Sequence, residues 1–213
     1  MALISGAGFA ASGMQSLDTV SGDPGPYFHT DKGSPLFENG WQPDPTIRPG
    51  NLNDYHPGSS LDTAIGWNFN RLSAAELEFG YAKAGSNSMP GFSMDNAHVA
   101  NVPLLANFTF TLPRPNARVV PYLGAGAGGD DVLYNPNGFT DGSPANFGNA
   151  SDMVFAWQAF AGLHFRMNER MSLGFGYKYF ATGDPVYPAL PNPNAAGDGF
   201  HTHSVLLTFQ LKF

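Results

Sequence analysis

The feature that most constrains this chain is a period-two alternation of apolar and polar residues that recurs along its length. Successive side chains on a strand point to opposite faces. In "LDTAIGWNF" Leu61, Thr63, Ile65, Trp67 and Phe69 share one face, against Asp62, Ala64, Gly66 and Asn68. "AAELEFGYA" sets Ala75, Leu77, Phe79 and Tyr81 against Glu76, Glu78 and Gly80. "VPLLANFTFTL" sets Val102, Leu104, Ala106, Phe108, Phe110 and Leu112 against Leu105, Asn107, Thr109 and Thr111. The same holds for "MVFAWQAFAGLHFRM" from Met153, for "MSLGFGYKYFA" from Met171, and for the closing "HSVLLTFQLKF". "RVVPYLGAGAGG" reads as a further strand with Leu123, Ala125 and Ala127 outward, and "GPYFHTDKGSPLF" near Tyr27 is the weakest, needed as a pairing partner. The expectation is eight strands.

The connections add architecture. Those near 70–73, 115–117 and 168–170 are short, whereas 38–57, 85–97, 129–150 and 182–200 are long and rich in Gly, Pro, Asn and Asp. Long and short alternate strictly. A compact soluble sheet has no reason for such regularity, whereas a membrane-spanning barrel has short turns at one end and long loops at the other. The strands are expected to run about nine to eleven residues, enough to cross a bilayer at barrel tilt. Each apolar face is continuous and aromatic, and the opposite face mixes Gly, Ser, Thr, Asn, Gln and charges. A soluble antiparallel barrel or sandwich, the competing architecture, would place the apolar face inside.

Composition agrees. Charged residues make up 13% of the chain, against about 25% in ordinary soluble domains. No apolar run approaches the roughly 18 residues of a transmembrane helix. A net charge of −7 with no basic stripe excludes nucleic acid as a partner. There is no cysteine, hence no disulfide framework, thiolate metal site or cysteine nucleophile. Residues 1–24, apolar and without Lys or Arg at the start, read as a tail or the remnant of a signal, leaving 25–213 as the barrel.

The quoted "VPLLANFTF", "VPYLGAGAGG", "FAGLHFRMNERMSLGFGYKYF" and terminal "VLLTFQLKF" resemble the small eight-stranded outer-membrane barrels, OmpA-type and opacity-protein-like, over about residues 25–213. The resemblance implies an all-β, transmembrane, antiparallel up-and-down barrel with short periplasmic turns, four long extracellular loops and both termini periplasmic. It implies outer-membrane lipid and lipopolysaccharide as surroundings. It also implies that the C-terminal strand ending in Phe213 is read by the outer-membrane assembly machinery.

Several motifs invite chemistry. Gly124, Gly126 and Gly129 spell G-x-G-x-x-G after a strand, but "DDVLYNPNGFTDG" follows as a loop without helical period, so a dinucleotide site is not expected. Glu76 and Glu78, two apart on a strand, point into the lumen together. Counting from the short turns places Arg166 and Lys212 in the same half, so a lumen cluster of Glu76, Glu78, Arg166 and Lys212 is expected, with His164 nearby. Asp62 and Lys178 are expected to pair higher up. Aromatics fall in two belts: Tyr81, Trp157 and Tyr179 toward the loop end, and Phe69, Phe165 and Phe213 at the turn end, with Trp67 also assigned to the membrane interface. His201 and His203 face outward while Ser204 faces in, which parts the His and Ser that a lipid-modifying enzyme would bring together. The loops carry Asp44, Asp54, Asp95, Asp130, Asp131, Asp141, Asp184 and Asp198 as hydrated surface charge. No catalytic residue, cofactor or metal site is assigned. The functional expectation is a side-chain-filled barrel serving envelope structure, or binding an extracellular or envelope protein through its loops. A narrow porin-like passage is the alternative, and a lipid-modifying enzyme the third.

Overall fold

The structure, a computed structural model, describes residues 24–37, 58–89, 92–112, 118–135, 150–186, 199 and 201–213. The strands are β1 (Gly25–Phe37), β2 (Ser59–Asn68), β3 (Ser73–Met89), β4 (Phe92–Thr111), β5 (Val119–Asn135), β6 (Ala150–Arg166), β7 (Met171–Thr182) and β8 (His201–Lys212). Each pairs antiparallel with the next, and β8 returns to β1 over Tyr27↔Lys212 to Phe37↔Thr202, so the sheet closes into a barrel without an edge. Closure is what permits a sheet to cross lipid, since every main-chain donor and acceptor finds a partner. Among the described residues no helix is long and apolar enough to cross a membrane.

The register fixes the shape. A row of paired residues starting at Arg166 runs through Ser172, Gln210, His29, Ala64, Glu78, Leu105 and Gly128 and returns to β6 at Ala156, ten residues from its start. A ten-residue stagger over eight strands corresponds to a tilt of roughly 40° and a backbone radius of roughly 8 Å. Side chains can fill such a lumen.

Two of the short turns are built alike. Asn70 Oδ1 accepts from the backbone N–H of Leu72 (2.7 Å) and Ser73 (3.0 Å). Asn168 Oδ1 accepts from Arg170 (2.9 Å) and Met171 (2.8 Å). The asparagine carbonyl thus stands in for a main-chain acceptor and reverses the chain within a few residues.

The exterior is apolar. Leu61, Ile65, Leu77, Phe79, Leu104, Phe155, Phe175 and Leu207 are each more than half exposed. A band of this extent around the whole surface would be insoluble in water, and lipid is the solvent it fits. The interior is where Tyr27, Glu78, Gln158 and Lys178 lie buried. Glycines on the inner face make room for large neighbours. A Cβ on Gly66 would collide with the Tyr27 ring, and one on Gly162 would sit 2.7 Å from the Tyr122 hydroxyl. Gly124 and Gly126 lie against Phe160 and Asn107 in the same way, which accounts for the glycine-rich run.

Three sequence expectations change. β2, of 10 residues, matches the expected nine to eleven, but the other seven strands run from 12 to 20 residues. The segment 85–97 is mostly strand, because β3 and β4 continue to Met89 and from Phe92. "DDVLYN" likewise belongs to β5 rather than to a loop. Beyond the lipid the outer face no longer has to be apolar, so the alternation fades while the hydrogen-bonded ladder continues. β3 to β6, of 17, 20, 17 and 17 residues, therefore stand taller than the other four strands. Of the other loop acids, Asp44, Asp54, Asp141 and Asp198 lie outside the described residues, whereas Asp184 is described and accepts from the Gly199 N–H at 2.7 Å.

Candidate functional site in the barrel lumen

The lumen is crossed by a septum of hydrogen-bonded charge. Lys178, on β7 and 6% exposed, donates from Nζ to Asp62 Oδ2 on β2 and to Glu78 Oε1 on β3, each at 2.8 Å. The other Glu78 oxygen accepts from Asn107 Nδ2 on β4 (2.7 Å) and Gln158 Nε2 on β6 (2.9 Å). Gln158 also donates to Asn107 Oδ1 at 2.8 Å. Five strands thus meet at one level. Burying these charges is tolerable because each carboxylate is held by the ammonium and Glu78 by two amides besides.

Below the septum lies a second group. The Tyr27 hydroxyl donates to Glu76 Oε1. His29 stands between two carboxylates, with Nδ1 3.5 Å from Glu76 Oε1 and Nε2 3.5 Å from Asp31 Oδ2. His164 packs its ring against Tyr122, with centroids 4.2 Å apart. Each group borders a cavity of about 30 Å³; Glu78 and Lys178 line both cavities and so form the partition. Above the septum Asn101 Nδ2 donates to Asp130 Oδ2 at 2.5 Å.

The expected cluster is therefore regrouped. Asp62 and Lys178 meet, but the cation that reaches Glu78 is this same Lys178, and Glu76 is held by Tyr27 and His29. Arg166 and Lys212 lie toward the turn end. The reason is the stagger: one step to the next strand along a row changes the level by roughly 3 Å, and two residues along a strand by roughly 5 Å. On that lattice Asp62, Glu78 and Lys178 fall within about 3 Å of one level, and His29 and Glu76 share another. Arg166 and Lys212 sit roughly 10 Å below Glu76. Counting residues from the turns ignores this tilt. Asp130, expected in a solvated loop, is instead fully buried on β5.

Asn107 and Gln158 were on the polar faces of their strands and carry the septum; their amide chemistry beside two glutamates was the available signal. Tyr27, His29 and Asp31 gave less signal, because the outer face of β1 includes Thr30, Lys32 and Ser34 rather than a clean apolar row.

Of the aromatics assigned to the interfaces, Trp67, Phe69, Phe165 and Phe213 lie toward the turn end, and all four are 45–76% exposed. Phe69 stacks near Phe108 at 6.4 Å. Toward the loop end Trp157 packs on Tyr179 at 5.4 Å, and Tyr81 is 45% exposed. Tyr179 also lies 2.7 Å from His201 Nδ1, and Tyr177 hydrogen-bonds His203, so both histidines join this outer belt. Ser204 is buried on the opposite face.

Comparison with known proteins agrees with this geometry. Neisserial surface protein A superposes with a TM-score of 0.60 at 13% identity, covering 88% of this chain and 97% of that one. The outer membrane protein OprG from Pseudomonas aeruginosa gives 0.56 at 12%, covering 91% and 99%. The outer membrane protein AlkL, solved in lipid bilayers, gives 0.53 at 17%, covering 100% and 97%. At these identities the likeness is one of fold. No curated protein sequence matches the chain. The family model described as "Outer membrane protein beta-barrel domain" matches residues 6–213. An apolar exterior, a closed eight-stranded barrel and this match over nearly the whole length lead to one conclusion: the chain is an outer-membrane protein and belongs to the outer membrane protein beta-barrel domain family.

Proposed function

We propose that the protein is a closed, non-enzymatic barrel that works through the surface raised at its loop end, in envelope structure or in binding an extracellular or envelope protein there. The turn end and both termini face the periplasm in this reading. The Lys178–Asp62–Glu78 septum carries it, because with Asn107 and Gln158 it joins five strands across the lumen and stands between two cavities of about 30 Å³ each. Each has room for a few waters at most, since one water needs about 10–15 Å³. The separation of inward Ser204 from outward His201 and His203 supports a non-enzymatic role. The Trp157, Tyr177, Tyr179, His201 and His203 belt supports contact with the head groups of lipopolysaccharide, where amphipathic rings are favoured.

The same two cavities favour one second reading, a narrow passage that opens when Lys178 moves. Planar-bilayer recording separates the two. The closed barrel gives no reproducible single-channel steps across ±100 mV, the scale of biological membrane potentials. Discrete steps from the wild-type protein, abolished by boiling, would establish the passage.

A further inference from the structure

The lumen around the septum contains more buried negative charge than the buried cations beside it neutralise. Asp31, Asp62, Glu76 and Glu78 are buried in or beside the lumen cavities, and among the described residues Lys178 is the buried lysine or arginine that meets them. Even a charged His29 would leave two negative charges unmatched. Burying an uncompensated carboxylate is costly enough that such groups are paired or bind metals.

The geometry shows where a cation fits. His29, Glu76 and Glu78 each offer a ligand atom, all within 4.8 Å of one another. Glu76 Oε2 has no hydrogen-bond partner, although the side chain is only 5% exposed. Asp31 Oδ1 is likewise buried and unpartnered on the same cavity. The other Asp31 oxygen lies by His29 Nε2, which leaves Nδ1 on the Glu76 side. A carboxylate that holds one imidazole nitrogen while the other faces acidic oxygens is the usual second contact of a metal-binding histidine. Tetrahedral ligands about 2.1 Å from a zinc-sized ion stand roughly 3.4 Å apart, so the widest pair closes by up to roughly 1.4 Å on binding, within reach of side-chain rotation.

We propose that the lower lumen cavity binds a divalent transition-metal ion of zinc's class through His29, Glu76 and Glu78, with Asp31 orienting His29. Imidazole with carboxylates suits such ions better than calcium, which prefers six to eight oxygens. The ion sits beneath the septum and ties β1 to β3 across their shared neighbour.

The test uses the full chain refolded in detergent, stripped with chelator and dialysed against zinc sulfate. One zinc per chain by plasma mass spectrometry is expected, with a higher unfolding temperature in the heat-modifiability gel. His29→Gln and Glu76→Gln each weaken zinc binding at least tenfold, and Asp31→Asn weakens it about 10–100-fold as a positioning residue. His201→Gln with His203→Gln leaves it unchanged. Absence of stoichiometric zinc in the wild type would overturn the site. So would binding that survives His29→Gln, or binding lost with the two outer histidines. Should the lumen variants fail to fold, X-ray absorption on the zinc-loaded wild type decides. One imidazole with oxygen donors supports the site, and two or more imidazoles refute it.

Discussion

Replacing Lys178 by methionine tests the septum most directly. The substitution keeps an unbranched chain in a buried position but removes the ammonium that donates at 2.8 Å to both Asp62 and Glu78. Breaking a buried charged group by deleting one partner costs about 3–5 kcal/mol, because the remaining charge stays buried and unpaired. The two carboxylates are not equal here. Glu78 retains Asn107 and Gln158 as donors, at 2.7 and 2.9 Å, whereas Asp62 loses its ammonium partner. Most of the loss therefore belongs to Asp62, and Asp62→Asn in the same chain should restore about half of it. With a urea slope near 2 kcal/mol per molar, the single variant shifts the unfolding midpoint down by about 2 M. The assay is reversible urea unfolding in lipid vesicles, followed by tryptophan fluorescence and confirmed by heat-modifiable gel mobility. A midpoint within about 0.5 kcal/mol of wild type, the range of an ordinary surface substitution, would refute the reasoning. So would a double variant that is less stable than the single one.

Two further predictions concern the outer surface. Leu77→Arg on β3, at a position 58% exposed to lipid, should cost about 2–4 kcal/mol, whereas Met167→Arg in the 167–170 turn should cost at most about 1 kcal/mol. Urea midpoints of both variants in the same vesicles check the depth dependence, and equal costs would contradict the membrane placement. Phe213, 76% exposed, makes one backbone hydrogen bond to Pro26 O at 3.2 Å. Phe213→Ala should leave stability within about 1 kcal/mol in vitro while lowering outer-membrane levels in cells several-fold. Unchanged cellular levels would remove the proposed role in assembly.

Much of the fold could be read from the residues, because lipid on one side and a polar lumen on the other impose period-two alternation on nearly every strand. The outward placement of Leu123, Ala125 and Ala127 on β5 follows from that rule, as do the inward Glu76 and Glu78. What alternation cannot reveal is which inward residues share a level. That depends on the ten-residue stagger, a property of closure and not of any one strand. Hence Asp62 and Lys178, both in the upper half, could be paired from sequence, while Glu76 was matched to Arg166 rather than to His29. β1 was the least legible element because its outward Thr30, Lys32 and Ser34 are not the row that lipid would select. Its inward Tyr27, His29 and Asp31 therefore carry no periodic signal of their own. The upper parts of β3, β4 and β5 read as loops in the sequence because no lipid disciplines their outer face.

The unequal strand lengths make the described strand ladder lopsided at the loop end. At a tilt of about 40° a 20-residue strand rises roughly 50 Å, about twice the height of the apolar band, and a 12-residue strand roughly 30 Å. With the loop end outward, the strands β3 to β6 stand as a parapet on one flank, and the strands β7, β8, β1 and β2 end lower. Backbone held there by sheet hydrogen bonds is stiffer than backbone carried on a free loop.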